Sequence, residues 1–205
     1  MRVMSSSLIV AVAVLAHAQD RISTDRPDFT GASTTVGVGK WQIETGLSYI
    51  VAPGVFGFRA PEALLRFGAG TGWEARIGLP NWSRVSVPGA AETGLSDATL
   101  GAKFALASCG AWTQAVIVET TVPTATSDFG SDRWEPAVRY TVSRPIDDRW
   151  SVGSMLSAST RRDSHATVVD GAFTLVFGRA LRSDLSTFVE YAGSFPNRVL
   201  KMDDL

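Results

Sequence analysis

From Lys40 to Val51 apolar and polar positions alternate: Trp41, Ile43, Thr45, Leu47 and Tyr49 share one face, and Gln42, Glu44, Gly46 and Ser48 the other. A period of two marks a strand whose faces meet unlike surroundings. The same reading predicts strands at about 61–70, 73–80, 96–106, 111–121, 134–142, 149–160, 166–180 and 185–192, about nine in all, and no helix after the N-terminal apolar run. Pro80, Pro123 and Pro145 fall at strand ends or in connections, where a missing N–H does least harm.

The connections alternate in length. Residues 52–60, 81–95 and 122–133 are long, whereas Gly70-Thr71-Gly72, the segment 108–110, 143–148 and 181–184 are short. Long loops on one side and short turns on the other are the pattern of an up-and-down barrel crossing an outer membrane. With the first strand starting in the periplasm, Trp41, Trp73, Trp112 and Trp150 fall at one rim, with Phe104, Tyr140 and Phe177. Tyr49 and Trp134 belong to the opposite girdle. An indole, apolar but with one N–H donor, is most stable at such a lipid headgroup boundary. The fold expected is therefore all-β, an antiparallel transmembrane barrel of the outer-membrane type.

The N-terminus fits this placement. Arg2 precedes the apolar run Leu8 to Leu15, which is too short to span a bilayer, and Ala16-His17-Ala18 forms a small-residue cleavage site. The organisation expected is a signal peptide over 1–18, a periplasmic leader over 19–39 and the barrel over 40–205. No later stretch approaches the roughly 18 to 20 apolar residues of a transmembrane helix.

Parity then assigns an inward face. It carries Glu44, Glu62, Arg66, Glu74, Arg76, Asp97, Lys103, Glu119, Glu135, Arg139, Asp170 and Glu190, eight acidic and four basic. An Arg or Lys facing lipid at mid-depth costs roughly 2 to 4 kcal/mol, so energy fixes which face is which. Two readings of this interior stand: a water-filled lumen whose acidic excess favours cations or polar solutes, and a salt-bridged interior that fills the barrel and passes nothing.

Composition narrows the classes. Only 19% of residues are charged and mean hydropathy is +0.10, so something other than water covers part of the surface. Loss of Arg2 with the signal peptide leaves 18 basic against 20 acidic residues, which argues against a nucleic-acid partner. The single cysteine, Cys109, excludes a disulfide scaffold and is expected as a small packed residue in a turn.

The stretch Ile22 to Tyr49 carries the most specific signal. Its Thr24-Asp25-Arg26-Pro27-Asp28 opening, followed by Gly39-Lys40-Trp41-Gln42-Ile43-Glu44, resembles the start of the meta-pathway phenol-degradation outer-membrane family, whose members are often labelled transporters. The run Gly94-Leu95-Ser96-Asp97-Ala98-Thr99-Leu100-Gly101 resembles that family's Gly-x-x-Asp-x-x-Leu-Gly strand, and Val189-Glu190-Tyr191 its later Glu-Tyr strand. The resemblance covers nearly the whole mature chain. It implies an outer-membrane barrel that moves small, often hydrophobic, molecules, and members look longer than this chain. An even strand number is the rule for such barrels, so the expectation is a chain short of about three terminal strands.

Candidate chemistry beyond the lumen is sparse. Asp25, Arg26 and Asp28 precede the first strand, and the expectation is either ion pairing at the periplasmic mouth, Arg26 reaching Glu44, or an extended leader shaped by Asp and Pro turn chemistry. Ser164-His165 offers a serine beside a histidine, but neighbours on a strand point to opposite faces, which defeats a nucleophile–base pair. His165 is the one histidine after residue 18, and Cys109 has no neighbouring ligand, so no zinc site is expected. Segment 125–132 has oxygens without the spacing of a calcium loop. The reading is thus no enzyme, no cofactor and no metal. The expected partners are outer-membrane lipids, the barrel-assembly machinery and a small solute the sequence does not name. The leading function is a passive outer-membrane channel for small, including hydrophobic or aromatic, molecules. The alternatives are a plugged structural barrel and a soluble secreted β-sandwich that binds a ligand.

Overall fold

A computed structural model describes residues 6–14, 24–25, 29–163, 166–182 and 185–198. Among them the chain is all-β, with fourteen strands and one short 3-10 turn at Ser127–Phe129. The strands are β1 (Ser6–Val14), β2 (Trp41–Glu44), β3 (Ser48–Ala52), β4 (Val55–Ala60), β5 (Leu64–Gly70), β6 (Trp73–Gly78) and β7 (Trp82–Val87). They continue as β8 (Ala90–Leu95), β9 (Ala98–Cys109), β10 (Trp112–Val122), β11 (Glu135–Pro145), β12 (Trp150–Asp163), β13 (Ala166–Arg182) and β14 (Leu185–Arg198). No described helix is long and apolar enough to cross a membrane, which says nothing about crossing by strands.

The chain divides into two compact units, one of Met1–Thr35, Lys103–Val118 and Ala137–Leu205, the other of Val36–Ala102 and Glu119–Pro136. In the first, β11, β12, β13 and β14 follow one another as antiparallel neighbours, and β1 pairs with β14 from Ser6↔Gly193 to Val14↔Leu185. Leu8 to Val14 is a Val- and Ala-rich run, and β-branched residues favour the extended backbone it adopts.

The second unit corrects the strand count. Lys40 to Val51, predicted as one strand, is broken at Thr45-Gly46-Leu47 into β2 and β3, which enter different sheets. Segments 52–60 and 81–95, predicted as long loops, fold into hairpin strands closed by Pro53-Gly54 and Pro88-Gly89. Gly54 and Gly89 take φ of 72° and 84°, a region a side chain disfavours, while proline presets the residue before. The run β2-β5-β6-β9 at one end of the larger sheet and the four-stranded sheet β3-β4-β7-β8 have matching orders, and the chain passes between them at β2/β3, β4/β5, β6/β7 and β8/β9. They are four long strands, each interrupted, so the predicted meander survives with longer strands and shorter loops.

Barrel closure is the second correction. The larger sheet runs β1-β14-β13-β12-β11-β10-β9-β6-β5-β2 and the smaller β3-β4-β7-β8, and neither closes on itself among the described residues. A ladder closes only where first and last strands meet in register, a long-range condition that period-two alternation does not encode.

Candidate functional site

Burial in this chain is inverted relative to a soluble domain. Trp41 and Ile43 of β2 are 62% and 70% exposed, and Tyr49, Trp134 and Leu156 also lie open. Glu74, Lys103 and Arg66 are 0%, 0% and 1% exposed. Burying an ion unpaired costs several kcal/mol, so each such group must be held by partners.

In the second unit those partners are one another. Arg66 on β5 stands directly opposite Arg76 on β6 in the ladder, a like-charge pairing that would be unfavourable alone. Glu74, also on β6, resolves it. Its Oε1 accepts from Arg66 Nε at 2.8 Å and Arg76 Nη1 at 2.8 Å, and its Oε2 accepts from Arg66 Nη2 at 2.9 Å and the Val36 backbone N–H at 2.7 Å. The Arg66–Glu74 contact is thus a fork, the stronger form of carboxylate recognition. Glu44 on β2 takes Arg66 Nη1 at 2.8 Å and Gln42 Nε2 at 2.9 Å. Two acids and two guanidiniums balance. Gly68 on the same strand meets the segment before β2: a Cβ there would lie 2.0 Å from the Gly37 carbonyl oxygen.

In the first unit the buried charges grip the segment that precedes β2. Lys103 Nζ on β9 lies 2.8 and 2.9 Å from the two Asp25 carboxylate oxygens and donates to the Ala32 carbonyl at 2.9 Å. Glu190 on β14 accepts the backbone N–H groups of Phe29 and Thr30, each at 2.8 Å, and the Thr30 hydroxyl at 2.6 Å. Thr174 on β13 bonds the Thr30 hydroxyl, Thr141 on β11 donates to the Gly31 carbonyl, and Ser33 Oγ lies 2.6 Å from both Thr113 Oγ1 and Ser143 Oγ. Asp25 itself accepts the Ala32 N–H at 2.7 Å, so that Asp25 and residues 29–33 form a strap held by the polar side chains of the sheet. Extended non-strand backbone can be buried only if its own polar groups are satisfied, and here side chains from β9, β11 and β14 do so while Thr113 of β10 and Thr174 of β13 bond the strap's hydroxyls.

The family model described as "Putative MetA-pathway of phenol degradation" matches residues 24–195. The chain belongs to that family. Among solved structures, the chain is similar to the crystal structure of an outer membrane channel from Pseudomonas putida F1, at 12% identity, 83% of this chain and 100% of that chain covered, and a TM-score of 0.43. No curated protein matches.

The family's opening motif is only partly visible. Thr24 is exposed and Asp25 buried on Lys103, while Arg26, Pro27 and Asp28 lie outside the described residues. Glu44, the partner expected for Arg26, is held by Arg66 of the neighbouring strand, which stands opposite Gln42 in the ladder. Of the other inward-face residues, Glu119, Glu135 and Arg139 are half-buried. Asp97 ties down a loop: its carboxylate accepts backbone N–H groups from Thr124 and Ala125, both at 2.8 Å, and from Ser131. Asp170 pairs with Arg161 across β12 and β13. The Ser164-His165 pair lies outside the described residues, and Cys109, expected to be packed, is exposed at the end of β9 because the turn after it faces solvent. No group of three His, Cys, Asp or Glu able to hold a metal occurs among the described residues.

The aromatic positions keep distinct environments. Trp41 stacks on Phe67 with centroids 4.5 Å apart, and Tyr49 meets Phe56 edge-on at 4.5 Å. Trp73 is exposed, Trp112 carries Arg144 at 5.2 Å over its ring, and Trp150 carries Arg179 at 4.9 Å. Beside Trp150, the Asp147 carboxyl is held below its ordinary pKa of 3.8 by the backbone N–H groups of Arg149 and Trp150, at 2.7 and 2.8 Å. Sequence reasoning missed the strap and its hydroxyl partners Thr113, Thr141, Ser143 and Thr174. Each stands at an inward parity position.

Proposed function

We propose that the mature chain is an outer-membrane channel for small solutes, exported with residues 1–18 removed. The observation that carries this reading is the inverted burial: a wall that presents Trp41, Ile43 and Leu47 outward and seals Glu74, Arg66 and Lys103 inside suits lipid on the outside and a polar interior. In water it would be unfavourable on both counts. Lipid also demands that every strand edge be paired, so the reading requires a closed ladder in the membrane. The pairing of β1 with β14 belongs, on this reading, to the uncleaved chain.

The charge networks favour a narrow passage over a wide pore. Arg66, Glu44, Glu74 and Arg76 fill their unit's polar face, and the strap covers the polar face of the other. A plugged barrel is the second reading, and the same networks support it. Planar-bilayer recording of the refolded mature chain, beside Glu74→Gln, separates the two. Openings whose cation preference falls in the variant support the channel; a heat-resistant folded band without conductance supports the plug; failure to insert overturns both.

A further inference from the structure

The strap is bound the way a ligand is bound. One fully buried ammonium, Lys103, takes a carboxylate; one fully buried carboxylate, Glu190, takes two N–H groups and a hydroxyl; and between them Thr141 meets the Gly31 carbonyl, with Thr174 meeting the Thr30 hydroxyl. None of these groups takes part in the ladders that hold the sheet. A sheet needing only a filled interior would do as well with apolar side chains, and replacing buried ion pairs by such residues is often neutral or stabilising. Side chains of opposite charge on β9 and β14, both holding parts of one short segment, describe a receptor.

We propose that Lys103, Glu190 and Thr174 form a binding site for a small solute that carries a carboxylate at one end and a hydroxyl or amide donor at the other. The strap is its intramolecular competitor: Asp25 holds the place of the solute carboxylate, and Thr30 that of the donor. Lys103 and Glu190 hold strap backbone at Ala32 and Thr30, two residues apart, so the solute spans at most about 7 to 10 Å. Solute entry and strap release are then one exchange, and an empty interior recloses on the strap without leaving a buried ion unpaired. The proposal rests on the channel reading and names the solute class of that interior.

The test is a lock. Ser33→Cys with Thr113→Cys, in a Cys109→Ser background, places two thiols where hydroxyl oxygens now lie 2.6 Å apart, so oxidation fixes the strap and reductant frees it. The mature chain in detergent micelles is titrated calorimetrically with 6-hydroxyhexanoate, hexanoate and 1-hexanol. The expected result is binding of 6-hydroxyhexanoate by the reduced protein, at least tenfold weaker binding when oxidised, and weaker binding of each probe lacking one end group. In the reduced protein Lys103→Met abolishes the preference for hexanoate over hexanol. Equal affinity in locked and reduced protein, or no binding in either, overturns the proposal. If the reduced protein conducts in bilayers while failing to bind, the channel stands and the solute site falls; if it neither conducts nor binds, both fall.

Discussion

Glu74→Met removes the centre of the buried network in the second unit. The carboxylate neutralises two guanidiniums and accepts one backbone N–H, and no water reaches it. Breaking a buried ion pair by removing one partner costs about 3 to 5 kcal/mol. The orphaned Val36 N–H adds about 1 to 3 kcal/mol, partly overlapping, so about 4 to 6 kcal/mol is expected. The network also passes from balanced charge to an excess of one positive, with Arg66 and Arg76 left opposite each other on the ladder. Arg66→Met together with Glu74→Met leaves Glu44 and Arg76, again balanced. The double variant should therefore cost at least about 1 kcal/mol less than the two single variants added, within the range of contacting residues. Urea unfolding of the mature chain in lipid vesicles, followed by tryptophan fluorescence, measures all four proteins. A loss below about 1 kcal/mol for Glu74→Met, or strict additivity, would refute the view that these ions hold each other in a water-free interior.

Three further outcomes follow from local geometry. Gly68→Ala should destabilise by about 2 to 3 kcal/mol in the same assay, because its Cβ would overlap the Gly37 carbonyl at 2.0 Å, whereas Gly89→Ala, with nothing within 4 Å, should lose only about 1 kcal/mol for its positive φ. Ile43→Arg should abolish the heat-modifiable band on unboiled gels while Ile43→Val keeps it; a folded Ile43→Arg protein would mean that this face does not meet lipid. Asp147 has its folded pKa depressed, so its contribution is present above the unfolded carboxylate value near 3.8 and fades as pH falls through it. The stability difference between wild type and Asp147→Asn should accordingly be largest near neutrality and shrink towards pH 2, and a difference independent of pH would sink the assignment.

Period-two alternation determined a great deal by itself. It identified an all-β chain and the strands β5, β6 and β9 to β14 to within a few residues at most ends; Glu44, Arg66, Glu74, Lys103 and Glu190, expected on the inward face, are buried. These are local properties: a strand declares its two faces in consecutive residues, and a charge among apolar neighbours declares which face avoids lipid. The Pro53-Gly54 and Pro88-Gly89 turns were equally local, Pro-Gly being a turn signal, but the flanking runs carry no clean alternation, so their strands were not legible.

What only tertiary structure decided is which charge meets which, and what lies on the polar face. Asp25 and residues 29–36 show no periodicity in the sequence, and their place follows from the need of Lys103, Glu190 and Glu74 for partners whose identity depends on strands brought together from distant parts of the chain. Sheet closure is of the same kind. It depends on the meeting of first and last strands, and no residue-by-residue pattern carries that information.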